Sequence, residues 1–165
     1  MKARLLALCV TLGLTAAIVA TAQARTPKSA VVSLRKTSLG TILVDPRGRT
    51  LYLFEKDSKG ISACTTACLS YWPAFTSRTV PRAGAGVQRS LLGLAKPQHG
   101  LRQVTYAGHA LYSFVGDKRA GQTNGEGLSN FGAAWYALSA SGRKVEQKQS
   151  SSSGSSGGYG TGGGY

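Results

Sequence analysis

The chain has 165 residues, with 20 Lys and Arg against 6 Asp and Glu, a formal net charge of +14 and 42% hydrophobic residues. This length suits one domain, or at most two small ones. No second long apolar run or Gly-X-Y period is present, which excludes a membrane bundle and collagen, and the apolar content argues against wholesale disorder. We therefore expect a folded domain with a modest core.

The N-terminus has the organisation of a secretory signal peptide. Lys2 and Arg4 precede an apolar run over residues 5–20, and residues 22–24 form a small-x-small cleavage site. The run is shorter than the roughly 18 clean apolar residues of a membrane anchor, which is the alternative. We predict that residues 1–24 are removed, which lowers the net charge to +12, leaves no transmembrane anchor and places the protein in the periplasm or outside the cell.

Two cysteines, Cys64 and Cys68, remain after signal cleavage. A pair of thiols in an exported protein predicts one disulfide, and this one closes a small loop that contributes about 2 kcal/mol. A thiol-disulfide redox pair is the alternative, although the spacing is C-x-x-x-C and not C-x-x-C. A zinc site would need further ligands, for which the chain offers only His99 and His109.

An internal repeat is the most informative feature of the sequence. Residues 51–57, L-Y-L-F-E-K-D, recur as residues 111–117, L-Y-S-F-V-G-D, and Trp72 has a counterpart in Trp135 after a three-residue shift. Repetition of this kind indicates two copies of one supersecondary unit that bury their faces together.

Each copy is predicted to begin with a β-hairpin. In the first copy, strands at residues 41–44 and 50–55 flank a turn at residues 45–48, which carries Asp, Pro and Gly. In the second, strands at residues 102–106 and 109–115 flank Ala107-Gly108. The predicted fold class is therefore mainly β, a compact antiparallel domain of two hairpin-containing repeats with one short disulfide-stapled helical turn.

The alternation of side chains along a strand groups the motif aromatics. Tyr52 and Phe54 share one face of their strand, as do Tyr112 and Phe114 of theirs. We expect the first strand to be covered on both sides and the second, which has Ser113 on its other face, to be half exposed.

The segment after the first hairpin is predicted to form a helical turn through the cysteines, capped by Ser62 and closed before Trp72-Pro73. Trp72 and Trp135 are expected to pack in the core. An exposed tryptophan pair would instead suggest stacking on sugars or other rings.

The motif aspartates precede turns, so Asp57 and Asp117 are expected to cap the backbone. A cation or small-ligand site around Asp117, with Asn124 and Glu126, is the alternative, although the spacing is not that of an EF-hand. Asp57 and Asp117 would suit glycoside cleavage only if the two copies faced each other across a cleft.

Together, the L-Y-x-F-x-x-D motifs, S-A-C-T-T-A-C-L-S-Y-W-P, Q-V-T-Y-A-G-H-A-L-Y-S-F-V-G-D and G-Q-T-N-G-E-G resemble the bacterial predicted lipoproteins with the Yx(FWY)xxD motif, the secreted repeat of unknown function. The resemblance spans about residues 39–138. It implies an exported bacterial protein with paired β-rich units. The positions carried over are Tyr52, Phe54, Asp57, Cys64, Cys68, Trp72, Pro73, Tyr112, Phe114 and Asp117.

The chain departs from that family pattern in four places. It lacks a clear lipid-acceptor cysteine, carries Thr65-Thr66 between the cysteines, has Gln122 where an acidic residue is usual, and ends in a Ser/Gly/Tyr tail. The first departure favours a protein without a lipid anchor, and the Gln122 change weakens a metal site. We expect residues 25–148 to be globular, with repeats at about 39–75 and 101–138, and residues 149–165 to be disordered.

Basic residues are scattered through the chain, and no nucleic-acid-binding signature collects them. Outside the cytoplasm a basic surface would contact anionic envelope polymers or lipid head groups. No hydrolase motif is present and no cofactor is implied. We therefore expect a non-enzymatic binding or structural module. Its candidate motif residues, which either form a shared core or line an open cleft, are Tyr52, Phe54, Asp57, Trp72, Tyr112, Phe114, Asp117, Asn124 and Trp135.

Overall fold

The computed structural model describes residues 29–96 and 102–146. The predicted signal peptide, residues 1–24, and the predicted tail, residues 149–165, lie outside the described residues. The elements in chain order are β1 (Val31–Thr37), β2 (Gly40–Val44), β3 (Tyr52–Phe54), α1 (Thr66–Leu69), β4 (Thr76–Ser77), β5 (Arg82–Ala83), a 3₁₀ turn (Arg89–Leu91), β6 (Leu92–Leu94), β7 (Arg102–Tyr106), β8 (His109–Ala110), β9 (Ser129–Asn130) and β10 (Ala133–Ala137). The protein is mainly β, as the sequence predicts.

The first sheet has the order β2-β1-β5. Strand β1 pairs antiparallel with β2 over five residue pairs, from Ser33 opposite Val44 to Thr37 opposite Gly40. Strand β1 is not predicted from the sequence. Its first half is largely apolar, but its second half is mostly polar, so the strand has no continuous apolar or alternating pattern. Strand β5 pairs parallel with β1, which is a local departure from the antiparallel architecture.

The two repeats exchange strands. Strand β10 of the second repeat pairs with β3 of the first, with Trp135 opposite Phe54. In return, residues 71–75 of the first repeat run beside residues 111–115 of the second, where the Val115 and Ser113 N–H groups donate to the Tyr71 and Pro73 carbonyls, both at 3.0 Å. The tryptophan-bearing segment of each repeat therefore covers the motif strand of the other repeat.

Two core clusters lie on opposite faces of the motif strands. Tyr52 and Phe54 pack into one cluster, and Leu51 and Leu53 pack into the other. The prediction that the second strand is half exposed is wrong for its first part, since Leu111, Tyr112 and Ser113 are all buried. The exchanged segment from the first repeat supplies the cover that the sequence of the second repeat does not reveal.

The regular ladders are shorter than predicted. The return strand of the first hairpin is reduced to β3 with a single bridge between Thr50 and Val44, and β8 ends at Ala110 instead of Val115. The reason is that Tyr112 bridges to both Tyr52 and Ala74, so the chain changes partners residue by residue. The β7–β8 connection is the predicted Ala107-Gly108 turn, with positive φ at both residues.

The short helix differs from its prediction at the N-terminus. The N-cap is Thr65, which makes no side-chain capping bond, and not Ser62. The Ser62 and Tyr112 hydroxyl oxygens instead lie 2.6 Å apart and are hydrogen-bonded to each other, which draws Ser62 towards the core. Within residues 29–96 and 102–146, no helix is long and apolar enough to cross a bilayer.

Candidate functional site

The motif tyrosines and aspartates of the two repeats are paired crosswise. The Tyr52 hydroxyl donates to Asp117 Oδ2 at 2.7 Å, and the Tyr112 hydroxyl donates to Asp57 Oδ2 at 2.8 Å. Burial raises the pKa of both tyrosines above the ordinary value, and the neighbouring carboxylates act in the same direction. Both hydroxyls therefore stay protonated and act as donors.

The second oxygen of each aspartate caps a turn of its own repeat. Asp57 Oδ1 accepts the Ala63 N–H at 2.7 Å, and Asp117 Oδ1 accepts the Asn124 N–H at 2.9 Å. Burial raises the pKa of both carboxyls, although these bonds oppose the shift. Each oxygen of both carboxylates therefore accepts a hydrogen bond from the protein, one across the repeats and one within its own repeat.

The motif aromatics form one continuous stack through the centre of the molecule. Trp72 and Trp135 lie face to face with ring centroids 3.9 Å apart and planes 3° apart. Phe54 stacks outside Trp135 at 4.1 Å, and Phe114 stacks outside Trp72 at 4.4 Å. Both tryptophans are fully buried. The motif therefore builds a shared core, and the tryptophan pair presents no platform to an external ring.

Two tyrosines close the sides of this stack. Tyr52 meets Trp72 edge to face at 5.4 Å, and Tyr112 meets Trp135 in the same way at 5.1 Å. Each tryptophan thus contacts the motif tyrosine of its own repeat. Edge-to-face and offset pairs of this kind each add about 0.5–1.5 kcal/mol beyond the area they bury.

The glycine-rich loop, residues 121–127, packs over the aromatic core. Gly125 is buried, and a Cβ added there would lie 2.8 Å from Trp72 and 2.9 Å from Tyr52. The Asn124 side chain donates to the Gly116 carbonyl at 3.2 Å, and Glu126 Oε2 accepts the Ala137 N–H at 2.8 Å. No group of three His, Cys, Asp or Glu with metal-binding geometry occurs in the described part of the chain. Of the oxygens proposed as cation ligands, both carboxylate oxygens of Asp117 and Oε2 of Glu126 accept internal hydrogen bonds.

One acidic side chain of this loop has an unusual environment. Glu126 Oε1 is buried and has no hydrogen-bond partner among the described residues. Burial, with a smaller contribution from the charge of Glu146, raises the pKa of Glu126 to about 7. This carboxyl therefore changes charge near neutral pH inside the fold.

Cys64 and Cys68 form the predicted disulfide, with Cα atoms 5.3 Å apart. The two residues are 7% and 2% exposed and belong to the same core cluster as the aromatic stack. A catalytic disulfide needs access for an attacking thiolate. The burial of this disulfide is therefore typical of a structural disulfide.

Comparison with known proteins identifies the repeats. A family model described as a secreted repeat of unknown function matches the chain twice, over residues 33–76 and 93–139, which together make up more than half of it. The chain belongs to this family. No curated protein and no solved structure matches the chain.

The two matched secreted repeats are longer than the predicted ones, about 39–75 and 101–138. Each begins with an additional strand, most of β1 in the first repeat and the end of β6 in the second. Both extra strands pair antiparallel with the strand that follows, β2 or β7. The family description and the disulfide are both consistent with a periplasmic or extracellular location.

A basic cluster lies where turns of the two secreted repeats meet. The Gly121 N–H donates to the Gly48 carbonyl at 2.9 Å, and the Arg35 side chain lies over both glycines. These two turns carry further basic residues at Arg47, Arg49, Lys118 and Arg119. Of these five side chains, only Arg49 forms an ion pair within residues 29–96 and 102–146, with the buried Asp45 at 2.8 Å. We call Arg35, Arg47, Arg49, Lys118 and Arg119 the basic cluster.

Sequence reasoning missed an exposed aromatic pair. Tyr71 and Phe131 are 56% and 38% exposed, with ring centroids 5.9 Å apart. Val115, 37% exposed, lies directly opposite Tyr71 on the exchanged segment. The signal for them was weak: Phe131 precedes Gly132, and at that position of a two-residue hairpin turn a polar residue is usual.

A cleft of about 770 Å³ opens beside the first motif strand. Its lining combines carboxylates and cations, and Lys144 bridges Glu55 and Glu146 at 2.8 Å each. Asp57 reaches this cleft, whereas Asp117 is not part of its lining. The two motif carboxylates therefore do not share it.

Proposed function

We propose that this protein is an exported, non-catalytic binding or structural module of the bacterial envelope whose basic surface contacts anionic envelope polymers or lipid head groups. The observation that carries the proposal is the basic cluster, in which four of five cations lack an ion-pair partner in the described segments. Close, unpaired cations raise the local potential and attract polyanions at long range.

The use of the motif groups supports the non-catalytic part of the proposal. Tyr52, Tyr112, Asp57 and Asp117 bond to one another or to backbone, and the tryptophans are buried. A reactive site needs at least one nucleophile, acid or base that a substrate can approach. The repeated motif instead stabilises the junction between the repeats, which leaves the surface for recognition.

The redox and cation-binding alternatives receive no such support. The disulfide is buried, and both oxygens of the buried Asp117 carboxylate accept internal hydrogen bonds. Either activity would require the core to open first.

Charge reversal tests the proposal. The triple variant Arg47→Glu, Lys118→Glu, Arg119→Glu changes three exposed side chains of the basic cluster, and a matched control, Arg78→Glu, Arg89→Glu, Lys96→Glu, makes the same change in net charge elsewhere. Wild-type protein should be retained on immobilised heparin and released by salt. The cluster variant should elute at clearly lower salt than the control.

Two results would contradict the proposal. Retention that salt does not weaken would show that charge does not drive the contact. Equal elution of cluster variant and control would show that net charge alone, and not this surface, is responsible. Thermal unfolding of all three proteins checks that each is folded.

A further inference from the structure

The turn that carries Phe131 contradicts ordinary turn chemistry. Strands β9 and β10 are joined by the two-residue loop Phe131-Gly132, with φ of +58° and +93°. Positive φ at both residues is the requirement of a type I′ hairpin turn, which strongly favours Asn-Gly or Asp-Gly. A bulky aromatic residue in the left-handed region is an outlier that costs about 1 kcal/mol or more.

The Phe131 ring joins neither core cluster in exchange for this strain. Phe131 is 38% exposed, and its aromatic neighbour is Tyr71, which is more exposed still. Positions where a local rule is broken without an internal gain are those expected to serve function.

The repeat symmetry gives a second, independent observation. Tyr71 precedes Trp72, and the Val115 N–H donates to the Tyr71 carbonyl. The equivalent pair in the other half of the molecule is Ala134, which precedes Trp135, and Glu55, whose N–H donates to the Ala134 carbonyl at 3.0 Å. The same backbone arrangement thus carries a small and a charged residue, Ala134 and Glu55, in one half, and two exposed residues, Tyr71 and Val115, in the other. The fold itself does not require an apolar surface at this site.

Positive charge borders the apolar residues. The Lys56 ammonium donates to the Phe131 carbonyl at 3.4 Å and lies beside Gly132. Lys118, a member of the basic cluster, follows Val115 by three residues and is exposed. We call Tyr71, Val115 and Phe131 the aromatic patch. A hairpin turn with exposed aromatic rings, bordered by lysines, matches a bilayer interface of anionic lipids, where rings insert beside phosphate groups.

We propose that the aromatic patch docks this protein onto an anionic lipid surface, with the Phe131 and Tyr71 rings entering the head-group region and Lys56 contacting lipid phosphates. The tilt of 42° between the rings gives a wedge and not the flat platform that suits a sugar ring. The inference rests on the proposed function only for the sign of the partner's charge.

Vesicle binding by protein collected after export tests the inference. The probe is sedimentation with vesicles of phosphatidylglycerol mixed with phosphatidylcholine, and with phosphatidylcholine alone. Phe131→Asn creates the preferred Asn-Gly turn, so it should keep or raise the thermal unfolding midpoint while weakening vesicle binding at least about tenfold. Tyr71→Thr, which removes the exposed ring, should weaken binding in the same direction.

A matched control uses the other two-residue turn. Ala107→Asn introduces the same residue before Gly108 in a turn that also has positive φ at both positions. It should raise the unfolding midpoint and leave vesicle binding unchanged. Lys56→Gln should weaken binding to the anionic vesicles and not to phosphatidylcholine.

Three outcomes would overturn the inference. If Phe131→Asn and Tyr71→Thr both bound vesicles as tightly as the wild-type protein, the aromatic patch would not contact lipid. Loss of heparin retention together with vesicle binding in these variants would assign the patch to a soluble polymer. A dimer of wild-type protein that Phe131→Asn dissociates would assign it to a second copy. If charge reversal of the basic cluster fails to affect heparin retention while Phe131→Asn still abolishes vesicle binding, the proposed function fails and the docking surface stands.

Discussion

Tyr52 and Tyr112 face each other across the centre of the molecule and exchange both backbone hydrogen bonds, at 2.8 and 3.0 Å. Each of them also donates its hydroxyl to the aspartate of the opposite repeat. Position 52 and position 112 are equivalent in the repeat, so this pair marks the pseudo-twofold axis. The L-Y-x-F-x-x-D motif is therefore a device for joining two copies, in which each copy completes the other.

The crosswise pairing predicts which residues are energetically coupled. Tyr52→Phe should destabilise the fold by about 1–3 kcal/mol, because it leaves a buried oxygen of Asp117 without its donor. A double-mutant cycle of Tyr52→Phe with Asp117→Asn, measured by urea denaturation, should give a coupling energy of about 1 kcal/mol.

The cycle of Tyr52→Phe with Asp57→Asn, within one repeat, should give a much smaller value. Tyr71→Phe, at an exposed hydroxyl, is the control and should be nearly neutral. Stronger coupling within a repeat than between repeats would contradict the crosswise arrangement.

Stability is predicted to fall as pH rises from about 4.5 to 7. Burial raises the pKa of Glu126 to about 7 in the folded protein from 4.5, so in this window the folded chain binds more protons than the unfolded chain. The free energy of unfolding is therefore highest below the unfolded pKa and declines through the folded pKa. The raised pKa values of Asp57 and Asp117 act in the same direction.

Glu126→Gln removes this titration. It should stabilise the protein at pH 8 by roughly 1–2 kcal/mol, less than a full conversion of the pKa change because the group is only partly buried. Thermal unfolding as a function of pH measures both effects. Glu55→Gln, at an exposed carboxyl, should leave the slope intact, and an unchanged slope in Glu126→Gln would disprove the assignment.

Removal of the disulfide should weaken the fold without abolishing it. The double variant Cys64→Ala, Cys68→Ala is expected to lose about 2 kcal/mol of stability, since the bridge closes only a short loop. Its circular dichroism in the absence of denaturant should match that of the wild-type protein. Rapid reduction of the native protein by mild dithiol would instead favour the redox alternative, because a buried bridge should resist attack.

The glycine-rich loop should tolerate no side chain at its buried position. Gly125→Ala places a methyl group against Trp72 and Tyr52, and overpacking of this kind costs about 1–3 kcal/mol. Gly127→Ala, two residues away, meets nothing within 4 Å and bears only the cost of its φ of +70°, about 1 kcal/mol. A smaller loss at Gly125 than at Gly127, measured by urea denaturation, would show that the loop is not packed on the stack.

The sequence by itself determined the elements whose signals are local. The seven-residue motif and its recurrence specified a duplicated β unit, the period-2 alternation placed Tyr52 and Phe54 on one face, and the cysteine pair specified the bridge. These features depend on spacing along the chain, and the structure keeps them because strand geometry and short loops impose the same spacing in space.

Only the tertiary structure decided how the copies combine. Which aspartate accepts which tyrosine, and which tryptophan covers which phenylalanine, depends on segments that lie far apart in the sequence and come from different repeats. Two equal copies offer equal partners within and between repeats, so local pattern has no means of choosing. Burial makes the choice, because the exchanged segments cover both faces of each motif strand, whereas Tyr71 and Phe131 are left at the surface.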